Sequence, residues 1–204
     1  MTDNLERHKL LKQIRDEVLV LKRSPLYNLR VKNNVHPVIG EGDHFANMIF
    51  IGEAPGKNEA IQARPFVGAS GKFLNEMLDG IGLKREEVYI TNIVKDRPPE
   101  NRDPLPSEIE VYGPFLDKQI DIIRPGVVVT LGRFSMQYIM KKFGMDFEIE
   151  PISKAHGKSY ATIASYGPIT IIPLYHPATA LYNGSMRDVL KKDFEILRQF
   201  VKTN

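Results

Sequence analysis

The 204-residue sequence predicts an α/β fold, a largely parallel central sheet with helices on both faces. Three observations carry this. Short runs rich in β-branched residues recur at 48–52, 88–94 and 127–131. Each is followed by a turn signal, and each turn leads into a segment with apolar residues at helical spacing, the alternation of βαβ units. At this length one compact domain over 1–204 is expected, and no repeat, linker or low-complexity stretch divides it.

Residues 4–22 carry Leu5, Leu10, Leu11, Ile14, Val18 and Leu21 at three-to-four spacing, which predicts an amphipathic helix. It opens an N-terminal segment, 1–35, that continues into a polar loop over 33–43. Ser70 stands ahead of Leu74, Met77, Leu78 and Ile81 as a helix start, and Gly80 and Gly82 mark its exit. Ser107 and Glu110 have capping-box spacing before Phe115 and Ile120. A further helix is expected over 133–143, its methionines filling core. Residues 159–164 and 168–174 alternate around Tyr166-Gly167 as a hairpin. A last helix over 186–201 turns Val189, Leu190, Phe194, Leu197 and Phe200 inward.

The composition is that of an ordinary soluble protein, 42% hydrophobic and 26% charged, which excludes wholesale disorder. No run of about 18 apolar residues and no charged-then-apolar leader is present, so a cytoplasmic protein without membrane association is expected. Lys and Arg exceed Asp and Glu by 28 to 25, which permits a polyanionic partner without requiring one. The basic excess of the first 35 residues is better accounted for by a solvated face than by a polyanion site. Cysteine is absent, which removes disulfides, thiolate nucleophiles and any Cys-ligated zinc or iron–sulfur site.

In open α/β sheets, ligands bind beyond the carboxyl ends of the strands. Glu53, Asn92 and His176 each fall at such an end. Around them lie Gly52-Glu53-Ala54-Pro55-Gly56 with Glu59, then Arg64-Pro65-Phe66-Val67-Gly68, Tyr89-Ile90-Thr91-Asn92, Arg97-Pro98-Pro99-Glu100-Asn101-Arg102, Leu131-Gly132 and His176-Pro177-Ala178. In this order the motifs resemble those of the family 4 uracil-DNA glycosylases, a branch of the uracil-DNA glycosylase superfamily, from about residue 25 to 194. The resemblance implies a single three-layer α/β/α domain on a central, mainly parallel four-stranded sheet. It also implies a monomeric, monofunctional glycosylase that hydrolyses the N-glycosidic bond of uracil in DNA.

The resemblance further assigns roles. Gly52, Ala54, Glu59, Phe66 and Asn92 form the base site, with Phe66 stacking on the flipped ring and Asn92 accepting from N3–H and donating to O4. Glu59 is the wall against the thymine methyl group. His176 donates to O2 as charge develops there, and Glu53 favours the cationic sugar or orients water, since Ala54 stands where better-known relatives carry a water-activating Asp. Ser70, Pro98, Pro99 and Arg187 contact the DNA backbone, and Leu181 or Tyr182 fills the vacated space. Family members typically hold a four-iron four-sulfur cluster on four cysteines. The matching positions here are Leu21, Ser24, Asp96 and Tyr112, so no cofactor or metal is expected, with packing of Leu21 and Tyr112 in its place.

Taken singly, each residue has an ordinary structural account. Phe66 suits a core, Asn92 a turn, Glu59 a solvated helix start, and His176 a turn before proline. Two other functions stay open on residues alone: a non-catalytic DNA- or uracil-binding member, and a nucleotide-phosphate hydrolase placing Glu53 and Glu59 on magnesium.

Overall fold

The computed structural model describes residues 2–201, with side chains from residue 5 onward. The chain runs α1 (Thr2–Leu19), α2 (Tyr27–Lys32), β1 (Glu41–Gly42), β2 (Met48–Gly52), α3 (Lys57–Gln62), α4 (Ala69–Gly80), β3 (Tyr89–Asn92), α5 (Pro106–Ile123), β4 (Val127–Leu131), α6 (Arg133–Lys142), α7 (Ile152–Ala155), β5 (Tyr160–Ala164), β6 (Gly167–Leu174), α8 (Thr179–Tyr182) and α9 (Met186–Glu195). The sheet has the order β1-β3-β2-β4-β6-β5. Its four inner strands are parallel, and β1 and β5 add antiparallel edges. The expected four-stranded sheet is therefore the parallel centre of a six-stranded one.

Every residue of β2, β3 and β4 is buried. This explains why they read as continuous apolar runs rather than alternating ones. Residue parity sorts the two cores. Ile49, Ile51, Tyr89, Val128 and Ile171 face α1 and α5, packing with Ile14, Val18, Leu116 and Ile120. Met48, Phe50, Ile90, Val129 and Ile172 face the other side with Phe73, Leu74, Leu78 of α4 and Leu190 and Phe194 of α9. The result is three layers, helices enclosing a sheet whose one-residue register shift would exchange the cores.

Several boundaries differ from the sequence expectation. The first helix ends at Leu19, and Leu5 and Leu10 stay exposed while Leu11, Ile14 and Val18 are buried. The expected polar loop over 33–43 contains β1, too short for any periodicity. Helix α4 begins one residue before Ser70, with Gly68 as its N-cap. Helix α5 begins at Pro106, and Glu108 rather than Glu110 reaches back to the Leu105 N–H at 2.8 Å, because proline is preorganised for the first helical position and shifts the frame. No described helix is long and apolar enough to cross a membrane.

Candidate active site

The chain enters at β2, crosses to β3 on one side, then returns over β2 to β4 on the other, so β2 is the switch point of the sheet. At its carboxyl end Gly52 pairs in register with Asn92. Glu53 follows β2 directly, and His176 follows β6 by two residues. These ends open into a cleft of about 600 Å³ lined by Glu53, Ala54, Glu59, Phe66, Ser70, Asn92, Pro98, His176 and Tyr182 among others. Nine of the thirteen residues singled out in the sequence are thus gathered around one space.

Asn92 lies at the floor, 2% exposed, and its side-chain Oδ1 has no hydrogen-bond partner. Three buried side-chain polar atoms lack a partner among the described residues, and only this one belongs to the cleft. A buried acceptor left empty costs about 1–3 kcal/mol, which marks it as awaiting a donor. The backbone beneath is held by Lys95, wholly buried, whose Nζ donates to the Asn92 carbonyl at 2.6 Å, to Gln119 Oε1 at 2.5 Å and to Thr91 Oγ1 at 3.0 Å. Burial pushes the Lys95 ammonium down to about 7.

Gly52 does not line the cleft but makes it possible. A Cβ there would stand 2.3 Å from Asn92 Oδ1 and 2.7 Å from Phe66 Cζ. Gly52→Ala is expected to lower activity at this cleft about 10²-fold by displacing the amide or the ring. Its melting temperature should stay within a few degrees, because Gly52 has no left-handed φ to strain; thermal scans beside the kinetics check this. A large drop in stability with unchanged turnover would show that the glycine serves the core alone.

Phe66 is buried and holds a left-handed φ of 48°, unfavourable for a residue with a Cβ. Glu59 holds it there: Oε1 accepts from the Val67 N–H at 2.9 Å and the Gly68 N–H at 2.8 Å. Gly71 leaves room for the Phe66 carbonyl, which an added Cβ would meet at 1.8 Å. The Phe66 ring then packs on the His176 imidazole, centroids 5.6 Å apart. Glu59 is therefore the support of the aromatic wall as well as part of the lining, a role invisible in sequence because its partners are backbone groups.

His176 Nδ1 accepts the Ala178 N–H at 3.1 Å. That bond assigns the single proton of the neutral ring to Nε2. Burial pushes the imidazole down to about 4, so it is a neutral donor at physiological pH. Glu53 sits where Gly132, at φ 104°, brings the start of α6 close, and Oε1 accepts the Phe134 N–H at 3.3 Å. A Cβ on Gly132 would lie 2.4 Å from that oxygen. Burial pushes the carboxyl up to about 7, opposed by the Phe134 N–H and by Arg133.

The cleft is also lined by Asn101 and Arg102, which the sequence offered only as part of a motif without a role, and by Asp103, which it did not single out. Pro98 is buried and lines the cleft, whereas Pro99 is exposed and lines a neighbouring hollow with Lys57, Ile61 and Arg97. Glu100 and Asn101 both have left-handed φ, 52° and 56°, stabilised by Arg97 Nε donating to Asn101 Oδ1 at 2.7 Å and by the Arg102 fork on the fully buried Glu108 at 2.6 and 2.9 Å. Ser70 lies in the first turn of α4, and Tyr182, 92% exposed, stands on the rim at the end of α8. Leu181 is exposed beside it without lining the cleft. Arg187 also stays off the lining: it pairs with Glu76 at 2.8 Å and covers the Phe73 ring at 4.3 Å.

The positions that the resemblance matches to a cluster's cysteines do not form a ligand set for one. Leu21 has no donor atom, and Ser24, Tyr112 and Asp96 are joined in a chain of 2.6 Å hydrogen bonds that ends on the Arg30 guanidinium, a cation where a metal would need thiolates. Leu21 and Tyr112 are both buried in the core cluster beside α1 and α5, and the Tyr112 hydroxyl adds hydrogen bonds to that packing. No group of three or more His, Asp or Glu side chains suited to a metal occurs among the described residues.

Residues 39–201 match the Uracil DNA glycosylase superfamily. The type-4 uracil-DNA glycosylase of Sulfurisphaera tokodaii is 47% identical over 194 residues, covering 95% of this chain and 86% of that protein. That of Saccharolobus solfataricus is 48% identical over 188 residues, 91% of this chain and 84% of its own. That of Archaeoglobus fulgidus is 44% identical over 179 residues, 88% and 87% of the two chains. The superfamily match spans every strand end that feeds the cleft, and with relatives aligned over nearly the whole chain it makes this protein a member of the uracil-DNA glycosylase superfamily.

Proposed function

We propose that the protein removes uracil from DNA by hydrolysing its N-glycosidic bond, leaving an abasic site, without a lyase step and without a resident metal or cluster. The observation that carries this reading is the empty Asn92 Oδ1 at the floor of a cleft walled by Phe66 and His176. Uracil presents N3–H to that oxygen and O4 to the neighbouring amide NH₂. Cytosine presents an acceptor and a donor at the same two places, so buried groups would face their own kind. A base inside a duplex is out of reach, so the nucleotide must be flipped, at a cost of a few kcal/mol. Exposed Leu181 and Tyr182 supply the apolar wedge that fills the gap, and Pro98, Pro99 and the α4 start with Ser70 take the backbone. Arg187, on the surface with Glu76, exchanges that partner for a phosphate.

As the bond to C1′ breaks, the base leaves with its electron pair and the sugar becomes cationic. His176 Nε2–H donates to O2, where the negative charge of the departing uracil gathers. The Glu53 carboxylate offsets the sugar's positive charge, and water completes the reaction by adding at C1′, its proton passing to Glu53 and finally to the departed uracil anion. Ala54 offers no base for that water, which leaves Glu53 as the carboxylate beside it. Glu59 Oε1 is committed to the Val67 and Gly68 N–H groups, and no group of three or more His, Asp or Glu side chains suited to a metal occurs among the described residues, which disfavours a magnesium-dependent phosphohydrolase.

Because Glu53 acts ionised, the excision rate should rise with pH through about 7, and Glu53→Gln should flatten that rise and lower the plateau. Stability moves the other way. A carboxyl raised from 4.5 to about 7 on folding favours the folded state fully below 4.5, and this contribution is lost as pH rises to 7. Glu53→Gln should therefore melt above the parent at pH 8 while being less active; a lower melting temperature would contradict the assignment of burial as the cause. The reading as a whole is tested by single-turnover cleavage of an oligonucleotide containing one uracil, in EDTA, with cytosine and thymine controls. Uracil-only cleavage after alkaline workup supports it. Retained binding with no cleavage would favour a non-catalytic uracil-binding member.

A further inference from the structure

Five segments meet at one buried polar centre on the N-terminal side of the cleft. Arg30 of α2, 5% exposed in its side chain, donates to the Val18 and Leu19 carbonyls at the end of α1, at 3.1 and 2.6 Å, and to both Asp96 oxygens at 3.1 and 3.3 Å. Tyr112 of α5 donates to Asp96 Oδ2 at 2.6 Å, which obliges the Ser24 hydroxyl to donate to Tyr112 and to accept the Leu26 N–H at 3.0 Å. The direction of every hydrogen in the chain Leu26, Ser24, Tyr112, Asp96 is thereby determined. Asp96 immediately precedes the loop 97–103, whose other end is tied by Arg102 to Glu108. Between the two anchors stand Pro98, with its φ locked by the ring, and the left-handed pair Glu100 and Asn101. A loop holding such conformations keeps them only when both ends are anchored.

We propose that the Arg30–Asp96–Tyr112–Ser24 network takes the mechanical place of the four-cysteine cluster, and that Asp96 and its partners are positioning residues for the loop 97–103 that walls the cleft. The anchoring stands by itself; its consequence for excision rests on the uracil-DNA reading. An ion pair this deeply buried is strongly coupled, because removing one member leaves the other charged without a partner. The guanidinium also closes the end of α1, so the N-terminal segment and the loop move together or not at all.

Asp96→Ala should lower the melting temperature by on the order of 10 °C. Well below that temperature, amide exchange at 97–103 and 20–30 should quicken about tenfold or more while α4 and α9 keep their protection. Should Asp96→Ala fail to fold, Tyr112→Phe removes two bonds of the chain, to Asp96 and from Ser24, and leaves the Arg30–Asp96 pair, with the same readout. Exchange that quickens at 20–30 alone, with 97–103 unchanged, would overturn the coupling. A four-fold variant, Leu21→Cys, Ser24→Cys, Asp96→Cys and Tyr112→Cys, reconstituted with iron and sulfide, should show the visible absorbance of an iron–sulfur cluster and regain protection at 97–103. Absence of that absorbance would overturn the equivalence of the two devices. None of these readouts involves uracil. On uracil-containing DNA, Tyr112→Phe should raise KM several-fold with kcat nearly kept, and this part alone fails if the substrate is something else.

Discussion

Asn92→Asp should lower the single-turnover rate of uracil excision by about 10³-fold and admit weak excision of cytosine. The acceptor at the cleft floor, Asn92 Oδ1, has no partner. An ionised carboxylate there still accepts from N3–H but loses the donor to O4, and its charge repels the base as it departs with the bonding electrons. Burial favours the protonated acid, whose O–H and C=O match cytosine N3 and the N4 amino group instead. Parallel oligonucleotides containing uracil and cytosine measure both effects. Unchanged selectivity would remove Asn92 from base recognition and leave its unpaired oxygen without a purpose.

His176→Ala should lower kcat by about 10²–10³-fold while binding of uracil-containing DNA changes only a few-fold, because a bond from Nε2–H to O2 would strengthen as negative charge develops. Its pH behaviour separates it from Glu53. A ring pushed down to about 4 stays neutral over the working range, so no limb of the rate profile near 6.5 belongs to it. Measuring rate and dissociation constant on the same duplex decides the matter. A large loss of binding with little loss of kcat would make His176 a support for Phe66, against which its ring packs.

How much of this was legible in the sequence depended on how local the determinants are. The inner strands were legible because full burial on both faces demands β-branched runs, and the polar residues closing those runs, Glu53, Asn92 and His176, were legible with them. The edge strand Glu41–Gly42 was not, since two residues show no alternation. The start of α5 was misplaced by two residues because Ser107 and Glu110 have the spacing of a capping box, yet Pro106 sets the first helical position and gives the capping role to Glu108. Glu59 looked like a wall and is also a brace, Lys95 drew no notice in the sequence and is wholly buried under Asn92, and Arg30 fell within the basic excess of the first 35 residues. Apart from the Lys95 bond to Thr91 Oγ1, their partners are backbone groups or residues tens of positions away, and spacing carries no trace of them. The Pro98 motif was legible as a loop, but that Asn101, Arg102 and Asp103 face the cleft follows from two left-handed residues that composition does not announce.

The measurement that bears most directly on the central claim is single-turnover excision of N3-methyluracil against uracil in the same oligonucleotide. The methyl group removes the one hydrogen that Asn92 Oδ1 is placed to accept and leaves the leaving-group chemistry largely intact. A rate lower by about 10³-fold or more for the methylated base, with the difference collapsing in Asn92→Ala, is the predicted result. Equal rates for the two bases in the parent protein would contradict the account, because the acceptor at the floor of the cleft would then have no part in choosing the base.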